Sequence, residues 1–185
     1  MKWNASFRRL LVISVLSWLL VSWWHRECVR PDRPENVALY VDTYGSVARE
    51  LYDLTGVPPA IPLAVGGLES GWGQSELAKQ GHNHFGIKAR GNQARYCLET
   101  TEYYRGKKHR VRDCFRAYPH AEESYLDFAK FLISQPRYDG LFRIPPDNLE
   151  GWANGLQEYG YATDPHYARK LMRVIRRYKL DRVRG

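Results

Sequence analysis

The sequence predicts a mainly helical domain that carries one β-hairpin and follows a short apolar segment. Three observations support this. Apolar residues recur at three- and four-residue spacing through most of the chain, the run from Cys97 to Phe115 is instead rich in Thr, Tyr and Val, and residues 10–24 hold no charge. With 185 residues, 44% of them apolar, the chain has material for one domain with its own core. A large multidomain machine and a mostly disordered chain are both excluded. The formal charge of +8 suggests an anionic partner: nucleic acid, a lipid surface or a wall polymer. Aromatic residues reach 14%, enough to serve a core and still offer flat faces to sugar rings.

Lys2, Arg8 and Arg9 precede the apolar run from Leu10 to Trp24, the order of a secretory signal or signal anchor. Fifteen helical residues rise about 22 Å, short of the roughly 30 Å hydrocarbon layer, so a span needs snorkelling at Arg8 and an interfacial Trp23–Trp24 pair. No small-x-small cleavage site follows. A retained anchor is therefore favoured over a cleaved signal, and both put the remainder outside the cytoplasm. Residues 25–36, with Pro31 and Pro34, read as a linker, and residues 37–185 as the domain.

From Val37 an apolar stripe through Tyr40, Val41, Tyr44, Val47, Ala48, Leu51 and Leu54 predicts an amphipathic helix closed by Gly56. Residues 54–68 hold no charge, so Pro59 to Leu68 should be buried, with Ile61, Val65, Leu68 and Trp72 at helical spacing. A short helix is expected over Ser75 to Gln80, and a longer one from Ala121 to Ser134 with Tyr125, Phe128 and Leu132 inward. Asp147 with Glu150 suggests a capping pattern for a helix that Gly160 ends. Asp164 and Pro165 suggest the N-cap and first residue of a last helix, with Ala168, Leu171, Met172 and Ile175 inward.

The run CLETTEYYRGKKHRVRDCF reads as a hairpin turning at Arg105–Gly106. In that register Cys97 faces Cys114 at a non-hydrogen-bonded pair, where the strands come closest and a disulfide fits. Export permits the bond. Cys28 is left over.

Glu69 is the first charge after the uncharged run, which suits a carboxyl kept protonated by desolvation, the state a general acid needs. Ser70, Gly71 and Trp72 beside it suggest a small turn and an aromatic platform. The segment LAVGGLESGWGQSELAKQGHNHFGIKA, from Leu63 to Ala89, resembles the signature of glycoside hydrolase family 73, the peptidoglycan-cleaving N-acetylglucosaminidases. The resemblance continues through TTEY, CFRAYPHAEESYLDFAKFL, RYDGLF and GYATDPHYARKL, covering roughly residues 37 to 180. It implies a lysozyme-like helical domain with a small β-lobe, hydrolysing the β-1,4 bond after N-acetylglucosamine in wall glycan.

By the same resemblance Glu69 is the general acid, Glu102 of TTEY the second carboxylate and Tyr161 an active-site tyrosine. Ser70, Trp72, Asn83, Phe85, Gly86, Tyr103 and Asp164 are the expected substrate contacts. Glu99 is the rival of Glu102, but in the hairpin register it faces Arg112 and suits a salt bridge better. The stereochemistry stays open: retention through a nucleophile, an inverting water, or participation by the substrate's acetamido group. His82 and His84 lack the partners of a metal site, and no metal or cofactor is expected. Peptidoglycan strands are the expected partner, with the membrane engaged through the N-terminal segment and no nucleic acid. A lytic transglycosylase with one catalytic carboxylate and a non-catalytic wall-binding module are the alternatives. The eight basic residues after Tyr167 suit a solvated helix face better than a nucleic-acid site.

Overall fold

One helix is buried on nearly every side, and the rest of the domain is arranged around it. The computed structural model describes residues 32–104 and 107–183; the side chains of residues 100–109 lie outside the description, as do residues 1–31 with the apolar segment and most of the linker. Helix α1 (Glu35–Thr55) begins within the stretch read as linker and ends at Gly56, whose left-handed φ of 76° lets its N–H reach the Tyr52 carbonyl; the buried stripe stops at Leu51, and Leu54, expected on it, is 77% exposed in the last turn. Helix α2 (Ala60–Ser70) is the central one: nine of its eleven residues are buried. It packs against α1, α4 (Ala121–Ser134), α5 (Leu149–Glu158), α6 (Tyr167–Arg177) and the final turn at Leu180–Arg182. Ile61, Leu63 and Val65 are fully buried there, each worth about 2 kcal/mol of apolar transfer.

Gly66 and Gly67 permit that packing. A β-carbon at Gly66 would stand 2.5 Å from the Tyr40 hydroxyl and 3.3 Å from the Phe85 ring, and one at Gly67 would stand 2.6 Å from the Trp72 ring. The poor helix propensity of two glycines is thus offset by close contact with three aromatic rings. Leu68 departs from the expectation of burial. It is 37% exposed, because the last turn of α2 opens onto a surface cleft.

Helix α3 (Glu76–Gly81) starts at Ser75, whose hydroxyl accepts from Ala78 N–H. It holds the antiparallel hairpin of β1 (Arg95–Tyr104) and β2 (Lys107–Arg116) through the Tyr96 hydroxyl, which donates to Glu76 at 2.7 Å. The register pairs Cys97 with Cys114 and Glu99 with Arg112, as expected from placing the turn at residues 105 and 106. The two cysteines form a disulfide, their Cα atoms 4.0 Å apart.

Two helix starts differ from the sequence expectation. The cap of α5 is Asn148, whose side chain accepts from Gly151 N–H, one residue beyond Asp147; an amide oxygen there satisfies the same orphan donor. Helix α6 starts at Tyr167 rather than Pro165. The Asp164 side chain accepts from His166 N–H and its carbonyl from Tyr167 N–H, so Pro165 and His166 form a turn ahead of the helix. Met172 is only partly buried and lines a surface groove, while Ala168, Leu171 and Ile175 face the core. Arg33 closes the domain, donating to the carbonyls of Tyr178 and Lys179 just past the end of α6. Among the described residues no helix is long and apolar enough to cross a membrane.

Candidate active site

Glu69 sits in the last turn of α2, where the buried helix reaches the surface. Gly71 stops the helix in the left-handed region at φ 59° and Trp72 follows at φ 60°, a conformation a bulky residue rarely adopts. Both of their N–H groups point back to the Gly67 carbonyl. Trp72 is held there by edge contacts with Tyr40 and Tyr178, ring centres 5.5 and 5.0 Å away. Ser70 is 1% exposed; its hydroxyl donates to the Gly66 carbonyl and accepts from Gly73 N–H. Ser70 and Trp72 therefore brace the turn that presents Glu69, and neither lines the cleft.

The cleft has a volume of about 930 Å³ and runs between the end of α2, the loop from Phe85 to Arg90, α4 and the loop from Tyr161 to Tyr167. Glu69, Phe85, Gly86, Tyr161 and Asp164 all line it, so five residues expected from widely separated motifs meet in one groove. Asn83 is behind the wall. Its amide donates to the carbonyls of Ile87 and Arg116, and its oxygen accepts from the N–H groups of Phe85 and Ile87, clipping the Phe85–Ile87 loop to the base of the hairpin. An amide fits this task because it donates and accepts at once. The side chains of Glu102 and Tyr103 lie outside the described residues; the register places Glu102 opposite His109 and Tyr103 opposite Lys108. Glu99 is exposed and lies 4.0 Å from Arg110, diagonal to the Arg112 it was expected to meet.

No cation bonds to Glu69 among the described residues. Its side chain touches solvent at the cleft surface while protein surrounds much of the carboxyl, and that desolvation raises its pKa. Bulk water along the open side limits the rise. The hydroxyls of Tyr161 and Tyr167 are near enough to feel the Glu69 charge, which adds to burial in pushing their pKa values up. Tyr161 stands edge-on to Phe128, 5.8 Å between ring centres, and 5.7 Å from the Tyr167 ring. Phe128 in turn stacks on Phe85 at 4.5 Å. Glu69 thus faces an aromatic wall with no ion pair among the described residues, which suits a carboxyl that must carry a proton.

Asp164 lines the cleft but is occupied: Lys170 lies 2.5 Å from its carboxylate, and that hydrogen bond lowers its pKa. The sequence reading missed three residues. Tyr167, 5% exposed, has a buried hydroxyl with no partner among the described residues, yet its helical spacing with Ala168 and Leu171 makes it look like plain core. Asp127, between two inward-facing aromatics, accepts from Arg116 at 2.5 Å and from the Tyr118 hydroxyl at 2.6 Å, joining α4 to the end of the hairpin. Arg116 itself lines the cleft. Only an i, i+11 link between strand and helix would have revealed that pair, and no local pattern encodes it. His84 is buried with Nδ1 3.2 Å from the Tyr40 hydroxyl, inside an aromatic cluster.

The glucosaminidase family, described as mannosyl-glycoprotein endo-beta-N-acetylglucosaminidase, matches residues 45–180. The chain belongs to this family. Peptidoglycan hydrolase FlgJ of Escherichia coli K12 is 40% identical over 131 residues, covering 68% of this chain and 41% of that protein. Exo-glucosaminidase LytG of Bacillus subtilis is 34% identical over 148 residues, 77% of this chain and 52% of its own length. The chain thus spans about half the length of these relatives or less. Among solved structures, the glycoside hydrolase domain of Salmonella typhimurium FlgJ, C-terminally truncated, superposes with a TM-score of 0.62 at 35% identity, over 76% of this chain and 95% of that one. The catalytic domain of the Listeria monocytogenes autolysin Auto gives 0.74 at 26% identity, over 99% of both chains. These glycoside hydrolase neighbours agree with the lysozyme-like architecture expected from the motifs.

Proposed function

We propose that this chain is a cell-envelope peptidoglycan hydrolase that cuts the β-1,4 bond after N-acetylglucosamine. The observation that carries this reading is Glu69: a carboxyl in the wall of the cleft, unpaired with any cation among the described residues and with its pKa raised by desolvation. FlgJ is named a peptidoglycan hydrolase and LytG an exo-glucosaminidase, which supports the substrate class.

In this mechanism neutral Glu69 donates its proton to the glycosidic oxygen as the bond to the anomeric carbon breaks, and positive charge develops on the sugar ring. The Tyr161 hydroxyl supports that charge or holds the N-acetyl group. Glu102 is the second carboxylate, activating or orienting the water, with the substrate's own acetamido group as the other route. A carboxylate separation of about 5 to 5.5 Å corresponds to a retaining nucleophile and roughly 6.5 to 9.5 Å to an inverting water. Ser70, Trp72 and Asn83 serve by holding the turn and loop that shape the groove, Phe85 and Gly86 by forming its floor, and Tyr103 by contact from the hairpin.

Mass spectrometry of digested peptidoglycan tests the bond: products should end in reducing N-acetylglucosamine. Anhydromuramyl ends would make the protein a lytic transglycosylase, and no cleavage a binding module. The envelope location rests on the substrate and on the disulfide, which persists in oxidising compartments. Retention through residues 10–24 is tested by cell fractionation and by sequencing the mature N-terminus. A membrane-bound protein that keeps residue 10 supports the anchor; a soluble form beginning between Ser22 and Cys28 means a cleaved signal.

A further inference from the structure

The cleft carries more positive charge than neutral sugars require. Lys88, Arg90, Arg116, Lys130 and Lys170 line it, against three acids. Three of these cations are tied to carboxylates: Lys88 to Asp113 at 2.9 Å, Arg116 to Asp127 at 2.5 Å and Lys170 to Asp164 at 2.5 Å. Those pairs mute Asp127 and Asp164, the two wall acids that would repel an anion, and the third, Glu69, is neutral in its proton-donating state. Arg90 and Lys130 are different. Both side chains are exposed, and neither has a carboxylate partner among the described residues.

They also stand on braced backbone. Arg90 follows Ala89, whose N–H donates to the Cys114 carbonyl of the hairpin, and its own N–H is held by the Gln93 side chain at 2.9 Å. Lys130 projects from α4 between Ala129, which is fully buried, and Phe131, which lines the cleft. Two cations are thus presented from different elements to the same groove. N-acetylglucosamine, being neutral, offers them hydrogen-bond acceptors but no counter-charge. The alternating muramyl unit bears a lactyl ether that ends in a carboxyl group, either free or joined to a stem peptide with carboxylates of its own.

We propose that Arg90 and Lys130 form an anion subsite that binds carboxylates on the muramyl units of the strand. The proposal rests on the peptidoglycan reading above and adds what the groove selects: glycan that carries acidic substituents over glycan that does not. Exposed ion pairs are individually weak, so the two together are expected to contribute roughly fivefold in kcat/KM at low salt.

The experiment compares the purified protein with Arg90→Gln, Lys130→Gln and the double variant on three forms of the same glycan: strands with stem peptides, strands stripped by an amidase so that only the lactyl carboxylate remains, and strands whose carboxylates are capped as methylamides. Circular dichroism confirms folding, which these exposed positions should not disturb. The wild-type protein should prefer acidic over capped strands by roughly fivefold, through KM, and the double variant should lose that preference. Preference for peptide-bearing over lactyl-only strands assigns the subsite to the stem; equal rates on those two assign it to the lactyl group. An active protein whose acidic-to-capped ratio is the same in wild type and double variant overturns the subsite alone. A wild-type protein that cuts none of the three overturns the hydrolase reading and the subsite with it.

Discussion

Glu69 is exposed at a cleft surface and yet ends a helix buried along nearly its whole length, and this combination sets its chemistry. The charged form loses hydration on the protein side and gains no counter-ion among the described residues, while the neutral form loses little. Glu69→Gln should therefore leave the fold intact and lower the rate of glycan cleavage by about 10²–10⁴, read as reducing ends released. The raised pKa keeps the acid protonated above the usual carboxylate range. The alkaline limb of the kcat/KM profile is expected above that range; an inflection at an ordinary glutamate value would remove desolvation from the account. On the hairpin, Glu102→Gln should lose most activity and Glu99→Gln little, because Glu99 is spent on an exposed pair with Arg110. The reverse ranking, measured on the same substrate, would exchange their roles.

At the scale of elements, α2 and the hairpin are held by different forces. The helix depends on close packing. Gly67→Ala gains about 1 kcal/mol of helix propensity but sets a methyl 2.6 Å from a Trp72 ring locked between Tyr40 and Tyr178. Overpacking costs about 1–3 kcal/mol, so the net expectation is a destabilised domain with a lower urea midpoint and a displaced Glu69 turn. Among its described residues the hairpin buries no side chain fully, and its two strands are joined by the Cys97–Cys114 cross-link. Replacing Cys97 and Cys114 by serine should cost about 3 kcal/mol in the chain-entropy picture, seen as a fall in Tm equal to that caused by reducing the native protein. Most of the α4 and α2 boundaries were legible in the sequence because their apolar periodicity is strong. The starts of α5 and α6 were not, since Asp147, Asn148 and Asp164 all have capping chemistry and only the backbone path selects among them.

Across the whole molecule, the buried His84, Tyr40 and Tyr125, with the partly buried Tyr44, link α1, the loop after α3, and α4. Burial lowers the His84 pKa to about 4, with the neighbouring His82 charge acting the same way and Glu122 opposing. A histidine whose folded pKa lies below its unfolded value of 6.5 stays neutral in the native state, so its contribution is fully present above pH 6.5 and is lost as pH falls toward 4. The span of the shift corresponds to about 3 kcal/mol. Urea unfolding should show stability declining through that window, and NMR should find the His84 ring titrating near pH 4. An ordinary titration near 6.5 would contradict the cluster's burial.

By itself the sequence determined the helical class, the hairpin register with its disulfide, and the identity of Glu69 and Tyr161 as candidates. Each of these is written locally, in periodicity, in strand alternation, or in a motif around one residue. Tertiary structure alone decided which candidates share the groove. Ser70, Trp72 and Asn83 belong to the same motifs as Glu69 and Phe85, yet they turn inward to brace a left-handed turn and a loop, because their hydrogen bonds and ring contacts are satisfied there. Tyr167, Asp127 and Lys130 sit inside the resembling segments without standing out there, and Arg90 follows the first of them; they meet in one cleft because α4 and α6 pack against the same buried helix and the loop from Phe85 to Arg90 lines the cleft at its end. Adjacency between distant segments is set by how apolar faces close over one another, and no window of sequence contains it.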